Sequence, residues 1–587
     1  MRNPLGQDSC MLVRIPGLIL LLMSLAVAKN LKLAADLNGI NPSTYVDVIV
    51  QFNARPTEAN HNKVNQGKGQ LKKVLDLIDA AVYNIPAGSL ESIAEDQSVV
   101  AISPDRPVAG ALEYSSPAVN APAANNLGWT GANIGIAIID SGISPLHPDL
   151  HGRVVYNESF HAGGTWTDDR NGHGTHVAGI AAGNAAASTG TYASRTFMGV
   201  APNAKLINLR VLNESASGTD SGVIAAISRA IALKSTYKIR VINLSLGRPV
   251  KESYLQDPLC KAVEQAWKAG IVVVVASGNE GRNNACGTSG YGLIGSPGND
   301  PYVITVGAMN TIGSSSRFDD RIASYSAKGP TAIDQVVKPD LVAPGNKVIS
   351  TSSAGYFHNS YAANRVGIDY YTTIPFPVTS PTYYRLSGTS MATPVVSGAA
   401  ALLLHKNNSL TPNQVKAILM RTASKAFPML STATDPVTNQ VYTAQYDIFA
   451  VGAGYVDVKA AIDNTVIPTG ESLSPKVYYD SKKRDVMVTL SGYKNVKLTW
   501  NNTGWGMSNV WGPFVFTNGA SALWGDSALW GDSALWGDST QLAFSALWGD
   551  SALWGDSSTA GNSGGSTLSA ASPVTPGAIN IAIHGDK

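Results

Sequence analysis

Three short segments carry residue types that together can perform nucleophilic chemistry. The first, IAIIDSGISPLHPDL, places Asp140 at the end of an apolar run. The second, NGHGTHVAG, sets His173 between two glycines and just ahead of small residues. The third, LSGTSMATPVVSG, holds Ser390 in a similar small-residue setting. A serine hydroxyl is a weak nucleophile until a base takes its proton. Imidazole titrates near neutrality and can take that proton and return it. A carboxylate fixes the tautomer of the ring and stabilises the imidazolium. Taken singly, Asp140 reads as a turn residue, His173 as a satisfied core histidine and Ser390 as a helix cap. Taken together they predict a proton relay, with the glycines admitting a substrate backbone.

Side chains so far apart in the chain need a frame to bring them together. Between about 127 and 464, apolar runs at 134–139, 206–212, 240–246, 271–277 and 302–308 read as strands. They are nearly continuous, as strands buried on both faces are. Helical patterns at 223–234 and 259–270 alternate with them. The expected fold is α/β, a doubly wound and mostly parallel sheet. Two more helices are expected at 390–406 and 411–423, the second with Thr411 as N-cap and Pro412 at its first position. Reactive groups in such sheets gather at the carboxyl ends of strands. Asp140 stands at one, and His173 and Ser390 each begin a helical segment.

The motifs DSGI, HGTHVAG and GTSMATP closely resemble the three signatures of the subtilisin-like serine proteases, across about 127–464. The order Asp, His, Ser is that of subtilisin; the related sedolisins carry a glutamate in place of this histidine. The resemblance implies that Asn279, in SGNEG, supplies an oxyanion donor. It implies that Ser245, Leu246 and Gly247 pair with an extended substrate backbone, while Ala276, Ser277 and Gly278 form the other wall of the pocket. Neither segment supplies an acid inside that pocket, so an apolar or broad preference is expected; Glu280 stands beside Asn279. Protein or peptide substrates follow, with no cofactor for catalysis and a structural calcium ion as a family feature.

The remaining chain frames this core. Residues 1–28 read as a secretory signal, with Arg2 and Arg14 before an apolar run that ends in Ala26-Val27-Ala28. Residues 29–110 read as a small α+β, ferredoxin-like unit: strand 46–52, helix 71–82, helix 90–99, then a strand. The resemblance makes it an inhibitory propeptide, the chain's own intramolecular partner. The stretch 111–126 reads as a linker containing the maturation cleavage. A long Tyr- and Thr-rich insertion runs from 351 to 385 and is expected to overhang the cleft or form a surface loop. The C-terminus divides into a β-leaning region (465–520), SALWGD repeats (521–557) and a loose Ser/Gly-rich tail (558–587). Beyond the signal no stretch looks membrane-spanning. The formal net charge of +2, without a basic block, leaves no electrostatic footprint for nucleic acid. Cys260 and Cys286 are placed so that a bridge is feasible, worth about 3–4 kcal/mol. The expected activity is that of a secreted endopeptidase made as a precursor and autoprocessed. Acyl transfer to an amine would use the same site, and an adhesin built around the Trp repeats is the non-enzymatic alternative.

Overall fold

A computed structural model describes residues 32–33, 37, 40–75, 79–104, 112–284, 288–373, 382–428, 430–480, 485–489, 497–499, 567–570 and 576–587. The signal segment and the SALWGD repeats lie outside the described residues. The chain divides into two compact units, the first ending at Val108.

In the first unit the order is β1 (Tyr45–Phe52), α1 (Glu58–Gln66), β2 (Gln70–Leu75), β3 (Ala80–Pro86), α2 (Leu90–Ala94) and β4 (Val99–Pro104). The sheet order is β2-β3-β1-β4, antiparallel throughout, which is the ferredoxin-like arrangement. Val48, Val50, Tyr83, Ile85 and Ile102 fill its core. The helix expected at 71–82 is instead a strand pair. β2 is an exposed edge strand, so its Leu and Val spacing reflects no buried helical face. The first helix lies earlier, at α1, and escapes a periodicity reading because Val64 is its only buried residue.

The second unit begins with α3 (Leu112–Ala118) and α4 (Ala121–Asn126). The stretch expected as a linker is thus helical, and its Ala118, Val119, Ala121 and Ala124 are buried. Next come β5 (Gly135–Asp140), β6 (Val154–Ser159), α5 (His173–Ala182), β7 (Lys205–Arg210), β8 (Ser217–Thr219) and α6 (Asp220–Ala232). They are followed by α7 (Lys234–Tyr237), β9 (Ile239–Leu244), β10 (Leu246–Gly247), α8 (Pro258–Lys268), β11 (Val272–Ala276) and β12 (Ile304–Asn310). After β13 (Arg321–Ile322), β14 (Leu341–Pro344) and β15 (Val348–Thr351) the chain forms α9 (Tyr356–Ser360), β16 (Arg365–Val366) and β17 (Tyr383–Leu386). The helices α10 (Thr389–Lys406) and α11 (Pro412–Thr422), the hairpin β18 (Leu430–Thr434) and β19 (Val441–Gln445), and α12 (Val458–Asp463) complete the body.

The main sheet runs β13-β12-β11-β9-β5-β7-β6, with β14 added at β12, and only the β12–β13 pair is antiparallel. Flanking helices cover it, giving the doubly wound α/β fold. Every residue of α10 from Thr389 to Leu404 is buried, as expected of a helix apolar all round. Thr411 caps α11, its side chain accepting from the Gln414 N–H. No helix among the described residues is long and apolar enough to cross a membrane.

The C-terminal region adds β20 (Lys476–Asp480), β21 (Asp485–Thr489) and β22 (Lys497–Thr499), an antiparallel sheet. The far tail departs from the loose segment its composition suggests. It forms β23 (Thr567–Ala570) and α13 (Pro576–His584), and Ile581 and Ile583 join the core of the unit. Its apolar INIAI run is what this packing uses, within a stretch otherwise rich in small polar residues.

Candidate active site

Asp140 is the last residue of β5 and is almost fully buried. Its Oδ1 accepts from the Ser141 N–H at 2.7 Å and from His173 Nδ1 at 2.8 Å. The bond to Nδ1 sets the neutral tautomer and leaves the lone pair on Nε2. That nitrogen is buried and makes no hydrogen bond in this structure. Burial by itself pushes the His173 pKa down. The charge and hydrogen bond of Asp140, with the field of Asp169, more than reverse this, and the net shift is upward from 6.5.

The loop before α5 explains how the ring is held. Asp169, a residue that composition alone did not single out, is buried and collects four donors. Its Oδ1 accepts from Ser141 Oγ (2.9 Å), the Asn171 N–H (3.1 Å) and the Gly172 N–H (2.8 Å), and its Oδ2 from the Thr175 N–H (2.7 Å). These donors include amides of the first helical turn, which lack partners within the helix. The signal in the sequence was an aspartate shortly before a glycine-flanked helix start. Gly172 caps the helix at φ 107°, and a Cβ on Gly174 would lie 2.2 Å from the Gly142 carbonyl oxygen. The second glycine therefore serves the approach of α5 to the end of β5, where a role toward substrate was expected.

The segment 351–385 also meets this loop. The Tyr356 and Phe357 N–H groups at the start of α9 donate to the Arg170 and Asn171 carbonyls, at 2.8 and 3.0 Å. It is a packed buttress of the His173 loop over its described part. His176, the second histidine of the motif, is structural. Its Nε2 lies 3.1 Å from the carbonyls of both Val348 and Tyr384, and burial drives its pKa down to about 3.

Ser390 sits in the first turn of α10, the helix that packs on α5. Four residues on, Pro394 has no N–H to offer the Ser390 carbonyl. Ser245 takes that place, its Oγ donating to Ser390 O at 2.8 Å. Asn243 and Ser397 extend the chain: Asn243 Nδ2 donates to Ser245 Oγ (2.9 Å) and Ser397 Oγ to Asn243 Oδ1 (2.8 Å). The Ser390 hydroxyl itself donates to the Ser245 carbonyl at 3.2 Å. In this structure, therefore, it makes no hydrogen bond to the imidazole Nε2.

Asn279 follows β11 and is 4% exposed. Its Oδ1 accepts from the Thr389 N–H (2.9 Å) and Oγ1 (3.0 Å), which fixes the amide with its oxygen toward α10. Gly278 adopts φ 111° and donates from its N–H to Thr389 Oγ1 at 3.3 Å. Ala276 and Ser277 are buried, Glu280 is exposed, and the Ser277 carbonyl accepts from the Gly295 N–H at 3.1 Å. Leu246 and Gly247 form β10.

Cys260 is a free, buried thiol 3.3 Å from Asn299 Oδ1, and burial raises its pKa far out of the reactive range. Cys286 lies outside the described residues. No group of three or more His, Cys, Asp or Glu converges among the described residues, so a carboxylate cage for calcium is not found there.

Comparison with known proteins adds an independent line. The profile of the subtilase family (Peptidase_S8) matches residues 131–454. Serine protease AprX of Bacillus subtilis (strain 168) is 36% identical over 367 residues, covering 61% of this chain and 77% of that protein. Subtilisin DY of Bacillus licheniformis is 35% identical over 350 residues, covering 60% of this chain and 98% of that protein. Subtilisin E of Bacillus subtilis (strain 168) is 33% identical over 366 residues, covering 62% and 80% respectively.

Proposed function

Because the chain belongs to the subtilase family of serine endopeptidases, we propose that Ser390, His173 and Asp140 carry its peptide-bond hydrolysis. The reaction uses no cofactor. The observation that carries this reading is the Asp140–His173 pair, 2.8 Å apart and buried, which leaves Nε2 as an unpartnered base beside α10. The Ser390 hydroxyl exchanges its hydrogen bond to Ser245 O for one to Nε2, which takes the proton as oxygen attacks the substrate carbonyl. Charge develops on the carbonyl oxygen. The Ser390 N–H, at the positive end of α10, and the Asn279 side-chain amide stabilise it. The imidazolium, held by Asp140, then protonates the leaving amine. Water repeats the sequence to release the acyl group.

Substrate lies extended along Ser245–Gly247, adding a strand to that edge, with Ala276–Gly278 lining the pocket for the residue before the cut. The absence of an acid in those segments favours apolar or broad specificity. The chain is secreted through its first 28 residues, and the ferredoxin-like unit is an inhibitory propeptide removed by autoprocessing after folding. Labelling with a serine-directed fluorophosphonate tests the site. The native chain should react, and Ser390→Ala should lose all labelling and peptidase activity. An unlabelled native chain would overturn the assignment.

A further inference from the structure

β23 lies between two strand edges that border the proposed substrate path. It pairs antiparallel with β10, Leu246 opposite Ala570 and Gly247 opposite Ser569. Its other edge pairs antiparallel with β8, where Ser217, Gly218 and Thr219 face Ser569, Leu568 and Thr567. Both edges of one short segment are thus taken up, and the three strands form a sheet of order β10-β23-β8.

Register gives the segment a direction. Going from Gly247 back to Leu246 leads toward Ser245, whose carbonyl accepts the Ser390 hydroxyl at 3.2 Å. Along the same path the partner runs forward, from Ser569 to Ala570. The segment therefore approaches the nucleophile with its carboxyl direction leading. A peptide must enter with that polarity if its acyl side is to lie on β10 and its carbonyl is to meet Ser390.

A separate set of contacts anchors the chain just beyond. The Ser387 N–H donates to Ala582 O (2.9 Å) and Asn364 Nδ2 to Ile583 O (2.7 Å). The buried Asp586 carboxylate accepts from the Ser324 N–H (2.8 Å) and Oγ (2.6 Å) and pairs with Arg282 at 2.9 Å. Asn346 Oδ1 accepts from the Asp586 N–H at 2.8 Å. With α13 fixed to the body, the strand before it is confined near the cleft. A short tether of this kind gives an effective concentration of about millimolar, so weak pairing suffices to compete.

We propose that Thr567–Ala570 is a competitor in cis, a stretch of the chain's own C-terminal region that occupies the acyl-side substrate strand position and must leave before a protein substrate can bind. The proposal rests on the protease reading above. It sets the fraction of molecules with an open cleft, so it raises KM and leaves kcat unchanged.

The test compares the full native chain with a Leu568→Pro/Ser569→Pro variant, since proline removes the amide donors a middle strand needs. KM for a short chromogenic peptide should fall about threefold or more at constant kcat, and amides of Ser217–Thr219 and Leu246–Gly247 should exchange faster. A synthetic peptide Ser-Thr-Leu-Ser-Ala-Ala should restore the higher KM competitively. Asp586→Asn, which loosens the anchor and leaves the strand sequence intact, should lower KM in the same direction. Unchanged KM in both variants, with normal fluorophosphonate labelling, overturns the cis competition alone. Loss of labelling in the native chain and both variants overturns the protease reading instead.

Discussion

His173 is held between opposing influences, and its pH behaviour follows from their balance. Burial disfavours the imidazolium, while Asp140 and Asp169 favour it strongly enough to raise the pKa above 6.5. A general base must be neutral, so kcat/KM should rise with pH through a limb centred above that value. In Asp140→Asn the burial stays and the raising charge is gone. The limb should move to lower pH, and kcat should fall by about 10⁴-fold as the ring loses its tautomer. A pH–rate profile of both chains checks the sign; a limb that stays in place would separate His173 from Asp140. Asn279→Ala should lower kcat by about 10²–10³-fold with little change in KM, the loss known for an oxyanion donor of subtilisin.

At the scale of elements, two contacts decide where the proposed reacting groups stand. The helix α5 can reach the end of β5 only because residue 174 has no Cβ; the nearest backbone oxygen would be 2.2 Å away. Gly174→Ala forces the backbone to shift there, so it should both lower stability and displace the imidazole. A misplacement of this order costs about 10²-fold in kcat/KM. Circular dichroism and steady-state kinetics on one preparation separate the two effects. The other contact joins the residue before β10 to α10. Pro394 deprives the Ser390 carbonyl of its helical donor and Ser245 Oγ supplies one at 2.8 Å. Ser245→Ala leaves that carbonyl buried and unsatisfied, at a cost of about 1–3 kcal/mol in stability. Denaturant titration measures it.

Across the molecule, a buried charge cluster ties the sheet to α11 and to the segment leading into β20. Asp340 accepts from Lys338 Nζ at 2.7 Å and Ser474 Oγ at 2.5 Å and stands 3.2 Å from Lys416 Nζ. Burial alone would raise the Asp340 pKa, but Lys338 and Lys416 outweigh it, and the net shift is downward. A carboxylate held low in the folded state contributes stability above its ordinary range and loses that contribution as pH falls through its folded value. Asp340→Asn removes the counter-charge of the buried Lys338 and should cost about 3–5 kcal/mol, seen as a lowered Tm at neutral pH. Its effect on KM should be slight, because none of the cluster's hydrogen bonds reaches β10 or α10.

The chain order of Asp140, His173 and Ser390, the strand runs around them and the small-residue helices were legible because each rests on local pattern. Short, β-branched apolar runs alternating with helical patterns suit strands buried on both faces, and glycine beside a titratable ring needs a close neighbour. What that neighbour is was not legible: Gly174 faces Gly142, which no spacing reveals. Asp169 stayed hidden for the same reason, since its donors come from Ser141 as well as from its own loop. In the first unit, the leucine spacing at 71–82 suits a helix as readily as an edge strand, and only pairing between strands separates the two. The tail shows the limit most clearly. Its composition is that of a loose segment, and a few apolar residues with one aspartate suffice to dock it once a sheet edge and a partly buried arginine exist to receive them. Local pattern thus determined which residue types stand where along the chain. Tertiary contact, which depends on surfaces made elsewhere, decided what each of them meets.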